Sequence, residues 1–133
     1  MTERIWDAIR EPTPFAADCD SRVVLDHVTS KWGVLVLVAL AEQPRRWGEL
    51  RRYVEGISEK MLAQTLKALE ADGFVRRESQ GTVPPRVDYS LTPLGAELAQ
   101  VLIPLVHWVG ENVQRTGVAE QRRNAAAARA GAA

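Results

Sequence analysis

The sequence predicts a mainly α-helical chain carrying one small β-hairpin, an α+β fold. Three observations point there. Apolar residues recur at helical spacing in successive blocks between residues 20 and 71. One short segment, "RVDYSL", switches to strict alternation, with Val87, Tyr89 and Leu91 against Arg86, Asp88 and Ser90. A long apolar stripe then returns to the helical period from Leu94 to Val113.

Taken in order, residues 1–18 contain Pro12 and Pro14 and read as an N-terminal arm, with room for a short helix around Trp6. From Asp20, a plausible N-cap, "DSRVVLDHVTSKW" sets Val23 or Val24, Leu25 or His27, and Val28 at helical spacing. "GVLVLVALAEQP" fits a buried strand as well as a buried helix; a helix ending before Pro44 is the expectation. "WGELRRYV" is a short helix offering Trp47, Leu50 and Val54 to a core, with Arg51 and Arg52 outward. Arg45 and Arg46 fall in the loop before it.

The stretch "GISEKMLAQTLKALEADG" has a complete helix grammar. Ser58 is the N-cap, although Met61 stands where a capping box would need Glu or Gln. Leu62, Leu66 and Leu69 share one stripe, and at about 100° per residue Lys60, Gln64, Lys67 and Ala71 fall opposite. Gly73 supplies the left-handed stop. "FVRRE" and "RVDYSL" then flank "SQGTVPP"; Pro84 and Pro85 cannot donate ladder hydrogen bonds, so the hairpin has an extended tip ending in Arg86. Thr92 caps the last long helix with Pro93 in its first turn, and Pro104 is expected to kink it. "AEQRRNAAAARAGAA", after Gly117, is low in complexity and reads as a mobile Ala/Arg-rich tail over 118–133.

The totals exclude more than they select. With 133 residues, 46% hydrophobic and 26% charged, the chain suits one domain with a real core. Cys19 is the single cysteine, so no internal disulfide framework exists and a thiolate metal cluster is not expected. The longest strictly apolar run, Val34 to Ala41, falls far short of a bilayer span. "MTERIWDAIREP" has no apolar core and is not a secretory signal, so a cytoplasmic location without a membrane partner is expected. Metal-ligand spacing, phosphate loops and nucleophile motifs are lacking; no cofactor and no enzymatic activity are expected.

Charge becomes informative when divided along the chain. The formal net charge is zero, yet residues 45–86 hold nine bases against six acids. Residues 1–44 hold four bases against seven acids, and 87–114 hold three acids and no Lys or Arg. A neutral protein thus has a basic middle. That middle contains the parts of a helix-turn-helix: a short helix, Gly56 in the turn, and a second helix with a polar outer face. On the residues alone, that face reads equally as ordinary solvated surface or as a surface laid on DNA.

The blocks also resemble a known family. "CDSRVVLDHVTSKWGVLVLVAL", "RRWGELRR", "GISEKMLAQTLKALEADGFVRR" and "VPPRVDYSLTPLG" look like four ordered segments of HxlR-type transcriptional regulators, a MarR-like branch of winged helix-turn-helix proteins. The resemblance is close over about 19–95 and looser to about 117, which makes 19–117 the winged-helix domain with a C-terminal dimerisation helix. It implies a homodimer that binds an inverted-repeat operator in double-stranded DNA, more as a repressor than an activator. Lys60, Gln64 and Lys67, with Ala63 by methyl contact, would read bases; Arg51, Arg52 and Ser58 would hold phosphates; Arg86 would enter the minor groove. The N- and C-terminal helices would dimerise, which agrees with the overlong stripe and places Leu98, Leu102, Leu105, Trp108 and Val109 at the interface.

Cys19 matches a cysteine that senses oxidants or electrophiles in some members of that family. Here Asp20 follows it where proline is common, and Asp18 and Asp20 disfavour a thiolate. A bland, partly buried cysteine is the main expectation, and redox sensing the minor one. His27 and His107 are expected to complete a core or interface. Trp32, Trp47 and Trp108 are expected in packing, with a small-molecule effector pocket as the lesser reading. The rival from another class is a winged-helix module that binds protein and no DNA.

Overall fold

The computed structural model describes residues 15–17 and 19–132; the expected short helix around Trp6 lies outside them. Helix α1 (Asp20–Val28) and helix α2 (Lys31–Glu42) are bent by 71° relative to each other across Thr29 and Ser30. Ser30 makes the joint: its hydroxyl donates to the His27 carbonyl at 2.9 Å and accepts from the Gly33 amide at 3.0 Å. The approach is so close that a Cβ on Gly33 would sit 2.2 Å from the His27 oxygen. The N-cap of α1 is Cys19, which makes no side-chain cap bond, so the expectation of Asp20 there is corrected by one residue. Asp20 instead occupies the first turn, where a carboxylate complements the helix dipole.

The ambiguous Val-rich run resolves as helix α2, whose Val36, Leu37, Ala39 and Leu40 are buried. The loop expected next contains a two-residue strand, β1 (Arg45–Arg46), because Gln43 before Pro44 is held extended and carries the chain alongside the hairpin. Helix α3 (Trp47–Tyr53) buries Leu50, and the turn after it buries Val54 and Ile57. Gly56 takes φ +89° in that turn, with the Trp32 ring 3.8 Å from the place a Cβ would occupy. Helix α4 (Glu59–Ala71) is capped by the Ser58 hydroxyl, which accepts from the Met61 amide at 3.1 Å. Gly73, at φ +90°, ends it.

Strands β2 (Val75–Ser79) and β3 (Val87–Leu91) form the hairpin, and β1 pairs with the outer edge of β3. The sheet is antiparallel in the order β1-β3-β2, with Arg45 opposite Tyr89 and Tyr89 opposite Arg77. The architecture is a winged helix-turn-helix. Its core is Val36, Leu37, Leu50, Leu62, Leu66 and Leu69, joined by Val75 and Tyr89 from the sheet.

Helix α5 (Pro93–Asn112) starts where Thr92 accepts from the Gly95 amide at 3.0 Å and donates to the Gly73 carbonyl at 2.6 Å. It continues through Pro104. A 3-10 turn (Val113–Arg115) and helix α6 (Val118–Gly131) follow. The segment read as a structureless tail is therefore helical, as its alanines favour, although none of its residues is buried. The chain divides into two compact units, Met1–Ala99 and Gln100–Ala133. Among the described residues no single helix is long and apolar enough to cross a membrane.

Candidate nucleic-acid interface

The leucine stripe of α4 is fully used by the core, since Leu62, Leu66 and Leu69 are at most 2% exposed. That fixes the rotation of the helix and leaves Lys60, Ala63, Gln64 and Lys67 exposed along the opposite ridge. The ridge stands between two grooves. One is shared by Gln64, Thr65 and Ala68 with Asp26, His27 and Ser30. The other is shared by Ala63, Lys67 and Glu70 with Trp47, Arg77 and Tyr89. A third groove opens between the start of α3 and the hairpin tip, lined by Arg46, Trp47, Thr82, Pro84 and Arg86 among others.

The basic residues between 46 and 86 separate into two groups by their partners. Arg51 Nη1 lies 3.0 Å from Glu59 Oε1, Arg86 Nε lies 3.3 Å from Asp88 Oδ1, and Arg46 Nε lies 3.7 Å from Glu49 Oε1. Arg52, Lys60, Lys67, Arg76 and Arg77 have no ion pair among the described residues. These five cations present charge that the fold does not itself neutralise. Ser58 is exposed but already engaged as the α4 cap.

Arg45 does not belong to the exposed set that its sequence neighbours suggest. It is buried, with Nε donating to the Ala39 carbonyl at 3.0 Å and Nη2 to Glu42 Oε2 at 2.7 Å. Its guanidinium also lies over the Tyr53 ring, 3.8 Å from the centroid. A buried cation survives only when paired and hydrogen-bonded, and Arg45 is both. Tyr53 closes the cluster by donating its hydroxyl to Glu42. That hydrogen bond, then desolvation and the Glu42 charge, push the Tyr53 phenol above its ordinary range.

His27 and Asp72 join in an ion pair or hydrogen bond at 2.6 Å, with His27 half-buried. His107 lies on α5, 3.5 Å from Glu111. Trp32 sits against the Gly56 turn, Trp47 lines two of the grooves, and Trp108 is exposed. On α5, Leu98 is half-buried and Leu102 buried, whereas Leu105, Trp108 and Val109 are exposed. Val23, Val24 and Leu25 of α1 are exposed as well. Cys19 is buried, its amide donating to the Ala16 carbonyl at 3.2 Å. Among the described residues no group of three or more His, Cys, Asp or Glu could hold a metal ion.

A family model described as "HxlR-like helix-turn-helix" matches residues 27–117. The chain is 52% identical over 105 residues to a protein of Escherichia coli (strain K12) named uncharacterized HTH-type transcriptional regulator YtfH, covering 79% of this chain and 83% of that one. Among solved structures, the putative transcriptional regulator ytfH from Salmonella typhimurium superposes with a TM-score of 0.77 at 51% identity, covering 85% of this chain and 99% of that chain. The redox regulator HypR in its oxidized form superposes with a TM-score of 0.65 at 35% identity, covering 71% and 97%.

Proposed function

The chain belongs to the HxlR-like helix-turn-helix family and is a transcriptional regulator with a helix-turn-helix DNA-binding domain; we propose that it acts as a homodimer on an inverted-repeat operator. The observation that carries this reading is the α4 ridge. Its leucines are consumed by the core, and its polar face keeps lysines that pair with no acid among the described residues. Such a helix fits the major groove, with Lys60 and Gln64 toward base edges and Ala63 available to a thymine methyl. Lys67 continues the same ridge. Arg51, Arg52 and Ser58 flank its start and serve phosphates, and Arg86 at the hairpin tip serves the adjacent minor groove.

The homodimer is supported by apolar surface that a single chain leaves open, Val23, Val24 and Leu25 on α1 and Leu105, Trp108 and Val109 on α5. Two copies related by a two-fold axis would present two α4 ridges to half-sites about one helical turn apart. Leu102, and in part Leu98, are already covered within the chain and contribute less to that contact. Repression by occluding a promoter in the cytoplasm is the mode this arrangement suits.

Selection of bound sequences from random duplex DNA tests the reading. A palindromic enriched motif is expected, and an absence of enrichment at low salt overturns it. An oxidant effector acting at Cys19 is supported by the likeness to a redox regulator, while burial of the thiol slows its access. A Cys19→Ser protein that responds to oxidant as the wild type does would end that idea.

A further inference from the structure

We infer that Arg77 and Lys67 form a clamp for one backbone phosphate of the DNA, on the strand that separates the major groove read by α4 from the minor groove met by the hairpin. The inference rests on the DNA-binding reading above and adds a site to it. If α4 lies in a major groove while the hairpin tip reaches the neighbouring minor groove, one sugar-phosphate strand must cross the space between them. That space is the groove lined by Lys67 on α4, Arg77 on β2 and Trp47 on α3.

Strand geometry aims Arg77 into this groove. Side chains alternate faces along β2, so Arg77 shares the face of buried Val75 and turns toward the helices, while Arg76 and Glu78 take the other face. Arg77 stands opposite Tyr89, which also lines the groove. Lys67 faces it from the far wall. Neither cation has an ion pair among the described residues, although Glu70 lines the same groove one turn beyond Lys67. Two unpaired cations against one carboxylate leave a net positive cleft, which suits an anion held between its walls. An Arg guanidinium can take a phosphate with two parallel hydrogen bonds, and a Lys ammonium supplies a point charge opposite.

The track continues beyond the clamp. Trp47 is common to this groove and to the one that leads to the hairpin tip, whose walls carry Arg46 and Arg86. A strand leaving Lys67 and Arg77 therefore passes over Trp47 toward Arg86. Lys67 accordingly serves the backbone, and base reading is left to Lys60, Ala63 and Gln64.

The test is the salt dependence of binding to a selected operator and to an unrelated duplex, for full-length wild type, Arg77→Ala, Lys67→Ala, Arg77→Lys, Arg76→Ala and Glu70→Gln. Arg77→Ala and Lys67→Ala should weaken both duplexes by a common factor. Each should lower the slope of log affinity against log salt by about 0.9 per bound protomer. Arg77→Lys should restore the slope, Arg76→Ala should keep it, and Glu70→Gln should tighten both duplexes. An Arg77→Ala protein that melts like the wild type and keeps its slope overturns the clamp while operator binding stands. So does a loss confined to one base pair. Wild type that binds neither duplex removes the DNA-binding reading and the clamp together.

Discussion

His27 Nδ1 lies 2.6 Å from Asp72 Oδ2, tying the last turn of α1 to the C-cap of α4 across 45 residues of sequence. The contact bounds the α4 ridge on the side opposite the hairpin, because His27 and Gln64 line one groove. It also satisfies a carboxylate that is largely shielded from water.

Removing either partner should therefore cost stability before it costs specificity. Asp72→Ala and His27→Ala should each lower unfolding stability by about 1 kcal/mol. The double variant should lose no more than the worse single one. Urea unfolding at an unchanged m-value measures this, and fully additive losses would show that the pair is not coupled.

The start of α2 should tolerate no side chain at its third residue. Gly33→Ala places a methyl 2.2 Å from the His27 oxygen and should destabilise by about 1–3 kcal/mol. Gly110 is the contrast, since nothing lies within 4 Å of a Cβ there and it sits inside α5. Gly110→Ala should stabilise the chain by up to about 1 kcal/mol. Thermal melts of the two variants should move in opposite directions.

On DNA, Gln64→Ala and Arg86→Ala should fail differently. The first should relax preference at one base pair by about 1–3 kcal/mol; the second should weaken most sequences alike. A competition series over single-base variants of the selected operator separates them. Equal flattening of preference by both would contradict the division of roles.

Tyr53 should titrate above 10.0, its ordinary value, because its hydroxyl donates to Glu42. A value raised in the folded state favours the protonated phenol there. The resulting stability is whole below pH 10 and is lost as pH climbs through the folded value. Absorbance titration of wild type against Tyr53→Phe assigns the step, and Glu42→Gln should bring it down. A step that ignores Glu42→Gln would contradict the stated cause.

Much of this was legible in the residues, and the parts that were not share a physical reason. Periodicity located α4 and its rotation because Leu62, Leu66 and Leu69 are spaced to meet one core. The same held for the strand ending in Leu91, where alternation is local. The inward turn of Arg45 is invisible in sequence because its partners, Glu42, Tyr53 and the Ala39 carbonyl, meet only when α2, β1 and α3 fold together. Strand β1 was missed for a related reason: two residues carry no period, and only pairing with β3 makes them a strand. Arg77 shows in the sequence only as a charge, and what aims it is its place two residues after Val75 on the face that β2 buries. In 118–133 low complexity points to a mobile tail while the same alanines favour a helix, and composition alone does not choose between them.

On the reading proposed above, Arg51 and Arg86 would come to DNA already holding Glu59 and Asp88. DNA would gain either arginine only by displacing its resident carboxylate, so each such contact is an exchange with a small net yield. The protein carries its own competitors for random polyanion. Hold on arbitrary sequence is thereby damped at these two positions, and a larger share of the difference between right and wrong DNA falls to the unpaired ridge of α4. A chain of zero net charge can in this way be choosy because of its acids as much as its bases.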